Sequence, residues 1–73
     1  MEDRVLDIVA DIFDVSRDKL SATTELEHLE EWDSLQQINL VLALEQEFSV
    51  SFSAEEMASL TTVPRILERL TAG

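Results

Sequence analysis

The spacing of apolar residues constrains the fold of this chain more than any other feature. In four segments they recur at the three- and four-residue intervals of an amphipathic α-helix. The chain has 73 residues and no Cys, so neither disulfides nor thiolate metal sites can support the fold. A domain this small buries only about 60% of its unfolded surface, so its stability should be marginal, and a chain of this length has no room for separate catalytic and substrate domains. We expect one all-α domain over residues 1–73, a small bundle of three main helices and one short helix with a long first loop.

The first part of the chain is predicted to form one helix followed by a long connection. The helix runs from about Glu2 to Asp14, and its apolar stripe comprises Val5, Leu6, Ile8, Val9, Ile12 and Phe13. The polar connection runs from Ser16 to about Trp32. A loop of this length in a small domain is usually functional. Three residues are predicted to anchor it to the core, namely Leu20, Leu26 and Leu29.

A second helix is predicted to begin at Asp33 or Ser34. Asp33 is a suitable N-cap, and Gln36 three residues later would complete a capping box. Glu45 and Glu47 are predicted to reach solvent. The predicted buried side consists of Ile38, Val41, Leu42 and Leu44, with Phe48 at its end.

Two shorter helices are predicted in the last third of the chain. Ser53 and Glu56 form a second capping-box pattern, which opens the short helix. Residues 50–53 alternate like a strand, but no partner strand is visible, so we predict an extended loop there. Thr61 or Thr62 is expected to cap the final helix. The apolar stripe of that helix comprises Val63, Ile66, Leu67 and Leu70.

Acidic residues greatly outnumber basic ones. Five Lys and Arg face sixteen Asp and Glu, which gives a formal net charge of −11. Nucleic acids and anionic membranes bind proteins largely through Lys and Arg, so neither is an expected partner. A basic protein surface is expected instead, because the acidic field would steer it toward this chain. No apolar run approaches the ~20 residues of a membrane span, and the N-terminus lacks a signal-peptide layout. We therefore expect a cytoplasmic location.

Residues that could support catalysis or metal binding are sparse. His28 is the only His, and nothing in the sequence brings it to Ser34 and an orienting acid to form a hydrolase triad. The acidic residues lack the spacing and central Gly of a calcium loop. Glu30, Glu31 and Asp33 are expected to form a solvated acidic loop. We expect no metal, no catalytic residues and no enzymatic activity.

The segment 31–35, Glu-Trp-Asp-Ser-Leu, stands out from the rest of the chain. Asp33-Ser34-Leu35 at the start of an amphipathic helix resembles the attachment motif of acyl carrier proteins and the related peptidyl carrier domains. The tripeptide alone is a weak signal. The resemblance continues through the helix to Glu45-Gln46-Glu47-Phe48, then at 53–56 and 60–63, and so covers essentially the whole chain. Together with the acidic charge, this pattern is typical of the family.

The resemblance implies an acyl-carrier-protein-like bundle, expected to be monomeric, with a phosphopantetheine arm on Ser34. In the family a phosphopantetheinyl transferase takes this 4'-phosphopantetheine from coenzyme A, and acyl or aminoacyl groups then travel on its thiol as thioesters. Asp33 and Leu35 flank the attachment point. A phosphodiester in the first turn of a helix is favoured by the helix dipole. Acyl-loading and acyl-processing enzymes with basic surfaces dock mostly on the second helix, which by position assigns Leu35, Ile38, Asn39, Leu42, Glu45 and Glu47. For Leu42, a place in the core is an equal alternative.

Two features leave alternatives open. Trp32 either guides the arm or anchors the loop. Carriers of primary fatty-acid synthesis usually have acids early in the second helix, where this chain has neutral residues, namely Gln36, Gln37 and Asn39. This departure suggests a stand-alone carrier in a specialised pathway, for a polyketide, a nonribosomal peptide or an unusual acyl unit. The alternative function is an acidic helical protein-interaction module with unmodified Ser34.

Overall fold

The computed structural model describes residues 1–72 and contains four α-helices. These are α1 (Glu2–Phe13), α2 (Ser34–Phe48), α3 (Ala54–Ser59) and α4 (Val63–Ala72). Two short 3₁₀ turns, at Arg17–Lys19 and Leu26–His28, lie in the connection between α1 and α2. The predicted all-α bundle of three main helices and one short helix is confirmed. Within residues 1–72, none of the helices has both the length and the apolar character needed to cross a membrane.

A single hydrophobic core holds the helices together. α1 packs against α2 and α4, and α2 also packs against α3. The core side chains come from three helices and the connecting loops. The largest of those that are fully buried are Val5, Val9 and Phe13 of α1, Leu26 of the connection, Leu40, Val41 and Leu44 of α2, and Val63 and Ile66 of α4. Removing this apolar surface from water is the main force that stabilises the bundle.

The long connection is pinned to the core by its leucines, as predicted. Leu20 and Leu26 are buried, and Leu29 is partly buried against the core. Two backbone hydrogen bonds of 2.8 and 2.9 Å also join residues 24–26 to residues 61–63. These contacts hold the segment before α2 against the junction between α3 and α4.

Both long helices end at a residue in the left-handed conformation, and in neither case is it glycine. Asp14 follows α1 with φ of 55°, and Ser49 follows α2 with φ of 54°. Their N–H groups donate to the carbonyl oxygens of Ala10 and Glu45. These hydrogen bonds satisfy carbonyls that a helix end leaves without partners, which offsets the steric cost of the left-handed conformation.

Side chains cap the two short helices at their N-termini. Ser53 Oγ accepts the N–H of Glu56 at 3.1 Å, and the Glu56 carboxylate accepts the N–H of Ser53 at 3.0 Å. The second predicted capping box is therefore confirmed. Of the two candidates for the cap of α4, Thr62 takes the role, because its Oγ1 accepts the N–H of Arg65 at 3.2 Å. Residues 50–53 form an extended loop, as predicted.

The buried face of α2 differs from the prediction. Ile38 and Leu42 are 47% and 46% exposed, so the prediction that they belong to the buried side is wrong. α2 has apolar residues on several sides, and its packing against α1 and α3 decides which of them are covered. The buried residues of α2 are Gln37, Leu40, Val41 and Leu44.

Candidate functional site

Ser34 is the first residue of α2 and is exposed to solvent. Asp33 precedes it in an extended conformation and caps the helix, as predicted. Its side chain accepts the N–H of Gln36 at 2.8 Å, and its carbonyl oxygen accepts the N–H of Gln37 at 3.0 Å. The N–H groups of Ser34 and Leu35 precede the first intrahelical hydrogen bond. An exposed hydroxyl therefore stands at the positive end of the α2 dipole.

Gln36 does not complete the capping box predicted with Asp33. Its Nε2 donates instead to the carbonyl oxygen of Ile12 in α1 at 3.0 Å, and its Oε1 accepts from Asn39 at 3.0 Å. Ile12 lies in the last turn of α1, where carbonyl oxygens lack intrahelical donors. The prediction is wrong because a tertiary contact with α1 provides Gln36 with a partner that the local sequence does not reveal.

Gln37 links three parts of the molecule beside Ser34. Its Nε2 donates to the carbonyl oxygens of Met57 at 3.0 Å and Leu60 at 2.8 Å, near the end of α3. Its Oε1 accepts the indole N–H of Trp32 at 3.0 Å. Trp32 is partly buried against the core, which places it as an anchor of the loop before α2.

The structural role of Gln37 was not predicted from the sequence. A signal for it was present, because Gln37 lies three residues before Leu40 and seven before Leu44. This spacing places all three side chains on one helix face. A polar residue in that stripe indicates either a break in the buried face or a buried amide with partners, and the structure shows the second.

A groove of about 380 Å³ opens next to Ser34, between α2 and α3. This volume lies near the lower end of the range for ligand pockets. Ser34 contributes to its edge, and Gln37 contributes polar atoms. The other lining residues are apolar, namely Trp32, Ile38, Ala54, Met57 and Ala58. A group attached to Ser34 would therefore find a largely apolar surface beside it.

Three apolar side chains form an exposed ridge along α2. Leu35, Ile38 and Leu42 are 66%, 47% and 46% exposed, and their spacing of three and four residues places them on one side of the helix. Apart from Met1, these are the exposed large hydrophobic residues within positions 1–72. The ridge begins directly after Ser34, and we call it the α2 ridge. Asn39 is also exposed on this helix.

The two glutamates predicted to face partners already have partners within the chain. Glu45 is partly exposed, and its Oε2 accepts the N–H of Phe52 at 2.8 Å. Glu47 is exposed, as predicted, and forms an ion pair of 2.7 Å with Arg4 of α1. Glu45 therefore fixes the turn after α2, and Glu47 joins α1 to α2.

The alternative chemistries have no assembled site in the described part of the chain. His28 is exposed, and its Nδ1 lies 3.0 Å from a carboxylate oxygen of Glu25. Among residues 1–72, no hydrogen bond joins His28 to a serine, and no three His, Asp or Glu side chains converge where a metal ion could bind.

The site therefore consists of an exposed serine at the capped start of a helix, beside an apolar groove and an apolar ridge, on a small helical domain. In a comparison with known protein families, residues 3–70 match the phosphopantetheine attachment site family. The chain belongs to this family of carrier domains, and its cofactor is 4'-phosphopantetheine. The family resemblance and the cofactor predicted from the sequence are thus both confirmed.

Proposed function

We propose that Ser34 bears the phosphopantetheine arm and that the chain presents acyl or aminoacyl thioesters to partner enzymes without catalysing a reaction itself. The observation that supports this most directly is the exposed Ser34 side chain at the first position of α2, in a chain of the phosphopantetheine attachment family. Ser53 also precedes a helix, but its Oγ is bonded to the N–H of Glu56 in a capping box. Ser34 is therefore the better candidate of the two.

The attachment reaction joins Ser34 Oγ to the pantetheine-bearing phosphorus of coenzyme A. The bond from that phosphorus to the bridging pyrophosphate oxygen breaks, and adenosine bisphosphate leaves with this oxygen. The serine proton passes to a base of the transferase. The new phosphodiester is an anion in the first turn of α2, where the dipole and the N–H groups of Ser34 and Leu35 favour it. The arm supplies the thiol that this Cys-free chain lacks, and the protein supplies position and a docking surface.

We propose that the transferase and the acyl-handling enzymes dock on the α2 ridge. An exposed apolar stripe next to the reactive group provides the contact area that a transient complex needs. The formal charge of −11 would steer basic partner surfaces toward this face. Because Glu45 and Glu47 are already bonded within the chain, we assign them a smaller role than the ridge. The full set of proposed docking residues is Leu35, Ile38, Asn39, Leu42, Glu45 and Glu47.

We further propose that the single domain over residues 1–73 acts as a stand-alone carrier in a specialised biosynthetic pathway. One supporting fact is that a hydrophobic core is formed within the chain, by residues between Val5 and Leu70. A second is that Gln36 and Gln37 are neutral where fatty-acid carriers usually have acids. Both side-chain amides form hydrogen bonds within the chain, so the neutral residues at these positions contribute to the packing of α2.

Intact-protein mass spectrometry tests the proposed attachment. The chain is incubated with coenzyme A and a broad-range phosphopantetheinyl transferase, and we expect a mass gain of one arm. The gain should disappear in Ser34→Ala. It should persist in Ser51→Ala, a matched control at an exposed loop serine. Loss of the gain in both variants, or its presence in Ser34→Ala, would contradict attachment at Ser34.

The same experiment addresses the alternative function, an interaction module with unmodified Ser34. If several transferases leave the folded chain without a mass gain, the interaction module becomes the better account. Binding to a basic partner should then be unchanged by Ser34→Ala. Under the carrier proposal, cargo transfer requires Ser34 and stops in that variant.

A further inference from the structure

The buried side chain of Gln37 lines the groove beside Ser34 and joins α2 to the end of α3. Gln37 is only 5% exposed, and its side chain reaches from α2 to the end of α3. A chain that starts at Ser34 and passes between these helices toward the core therefore meets this amide. Apart from the exposed Ser34 at its edge, the remaining lining of the groove is apolar, so Gln37 is its one buried polar side chain within the described residues.

The orientation of the Gln37 amide is set by its partners. The two carbonyl oxygens at the end of α3 can only accept, so the amide nitrogen must face Met57 and Leu60. The indole N–H of Trp32 can only donate, so the amide oxygen must face it. Both amide hydrogens are used, and the three hydrogen bonds act together as a bridge between the loop, α2 and α3.

We propose that Gln37 is a specificity-determining residue, which admits short or polar cargo to the groove and excludes long alkyl chains from the space between α2 and α3. The proposal rests on attachment of the arm at Ser34. To enter further, an alkyl chain must break the bridge, and it has no donor or acceptor with which to replace the lost hydrogen bonds. Polar cargo can replace them. Long alkyl cargo is therefore expected to remain in solvent.

The test compares cargo chains of increasing length on the wild-type protein. Acetyl, butyryl and octanoyl arms are loaded from the corresponding coenzyme A thioesters, and loading is verified by mass. The rate of thioester cleavage by hydroxylamine is then measured for each loaded protein and for the same free acyl-pantetheine. Protection is the rate for the free acyl-pantetheine divided by the rate for the loaded protein. We expect octanoyl to be protected no more than about twofold beyond acetyl or butyryl, since a chain left in water gains nothing from burial. Strong protection of octanoyl alone would overturn the proposal.

Variants then identify the residue responsible. Gln37→Leu should protect the octanoyl thioester at least about tenfold more than the wild type, because several methylene groups can then be buried. Gln46→Leu makes the same change at an exposed position of α2 and should alter nothing. Trp32→Phe removes the indole donor but leaves the bonds from Gln37 to α3, and should keep the groove closed to octanoyl.

NMR shifts and the mass gain on loading together distinguish failure of arm attachment from failure of the proposed role of Gln37. Backbone amide NMR shifts of α3 should not change when octanoyl replaces acetyl on the wild type, and should change in Gln37→Leu. The wild-type series needs no variant, so it decides the matter even if Gln37→Leu does not fold. Absence of a mass gain on loading would overturn attachment and this inference together. Protection of octanoyl in the loaded wild type would overturn only the role of Gln37.

Discussion

Truncating two leucines of the same helix should separate the stability of this carrier from its docking. Leu35 and Leu40 both lie in α2, but Leu35 is 66% exposed and Leu40 is fully buried. The same change, Leu→Ala, is helix-compatible at both positions. We therefore expect Leu40→Ala to affect folding and Leu35→Ala to affect the rate of arm attachment.

The expected magnitudes follow from burial. Leu→Ala at a buried site costs about 2–5 kcal/mol, and each kcal/mol shifts the Tm of a domain this small by about 4–8 °C. Leu40→Ala should thus lower the Tm by at least about 8 °C. Leu35→Ala should change stability by no more than about 0.5 kcal/mol. Full burial of a leucine is worth about 1.5–3 kcal/mol, and two-thirds of Leu35 is available to a partner. Its loss should therefore lower kcat/KM for the transferase about 5–30-fold.

Two assays measure these effects on the same samples. Thermal unfolding followed by circular dichroism gives the Tm, and the mass gain with time gives kcat/KM for arm attachment. Leu40→Ala should react at the wild-type rate per folded molecule. An unchanged kcat/KM in Leu35→Ala would remove this residue from the docking surface. A loss of stability in Leu35→Ala equal to that in Leu40→Ala would refute the assignment of the α2 ridge.

Three further predictions concern charged residues. Asp33→Ala removes the cap of α2 and should lower the free energy of unfolding, measured by chemical denaturation, by about 1 kcal/mol. Asp33→Asn keeps a capping side chain and should retain the wild-type stability. Equal losses of stability in the two variants would show that the charge of Asp33 matters and its capping does not. Glu47→Lys should slow arm attachment at low salt. Adding Arg4→Glu should restore the ion pair between α1 and α2 without restoring the rate of attachment. Full recovery of that rate in the double variant would mean that Glu47 acts only through folding. The pKa of Glu56 lies below its ordinary value of 4.5, mainly because its carboxylate accepts the hydrogen bond of the Ser53 N–H, and secondly because it is bonded to the Arg69 guanidinium. Its contribution to stability is therefore fully present above pH 4.5 and is lost as the pH falls through the lower folded-state pKa. Glu56→Gln should accordingly lower the Tm near neutral pH but much less in strong acid, and a pH-independent difference would contradict this.

Much of the fold could be predicted from the sequence because it depends on local interactions. The start of α2 follows from the Asp33 cap, and the start of α3 from the pairing of Ser53 with Glu56. The anchoring of the long connection follows from isolated leucines in a polar segment, such as Leu26. The exposed position of Ser34 also follows, since the first residue of a capped helix lies at its open end.

Other features depend on which element lies nearby, and local sequence does not contain that information. Gln36 bonds to the carbonyl oxygen of Ile12 and not to its own helix start, because α1 ends beside it. Glu45 bonds to the N–H of Phe52, because the chain turns back after α2. In both cases a residue separated along the sequence but close in space offers a backbone group that would otherwise be unpaired, and satisfying that group outweighs the local arrangement.

The sequence by itself determined the four helices, the N-caps Asp33 and Ser53, the acidic charge and the exposed serine at the start of α2, because each depends on residues within about one helical turn or on composition alone. Only the tertiary structure decided that Ile38 and Leu42 face outward while Gln37 is buried. α2 has apolar residues on several sides, so its own pattern is compatible with more than one buried face. The packing of α1 and α3 selects one of them, and this choice creates both the exposed ridge and the polar bridge beside Ser34.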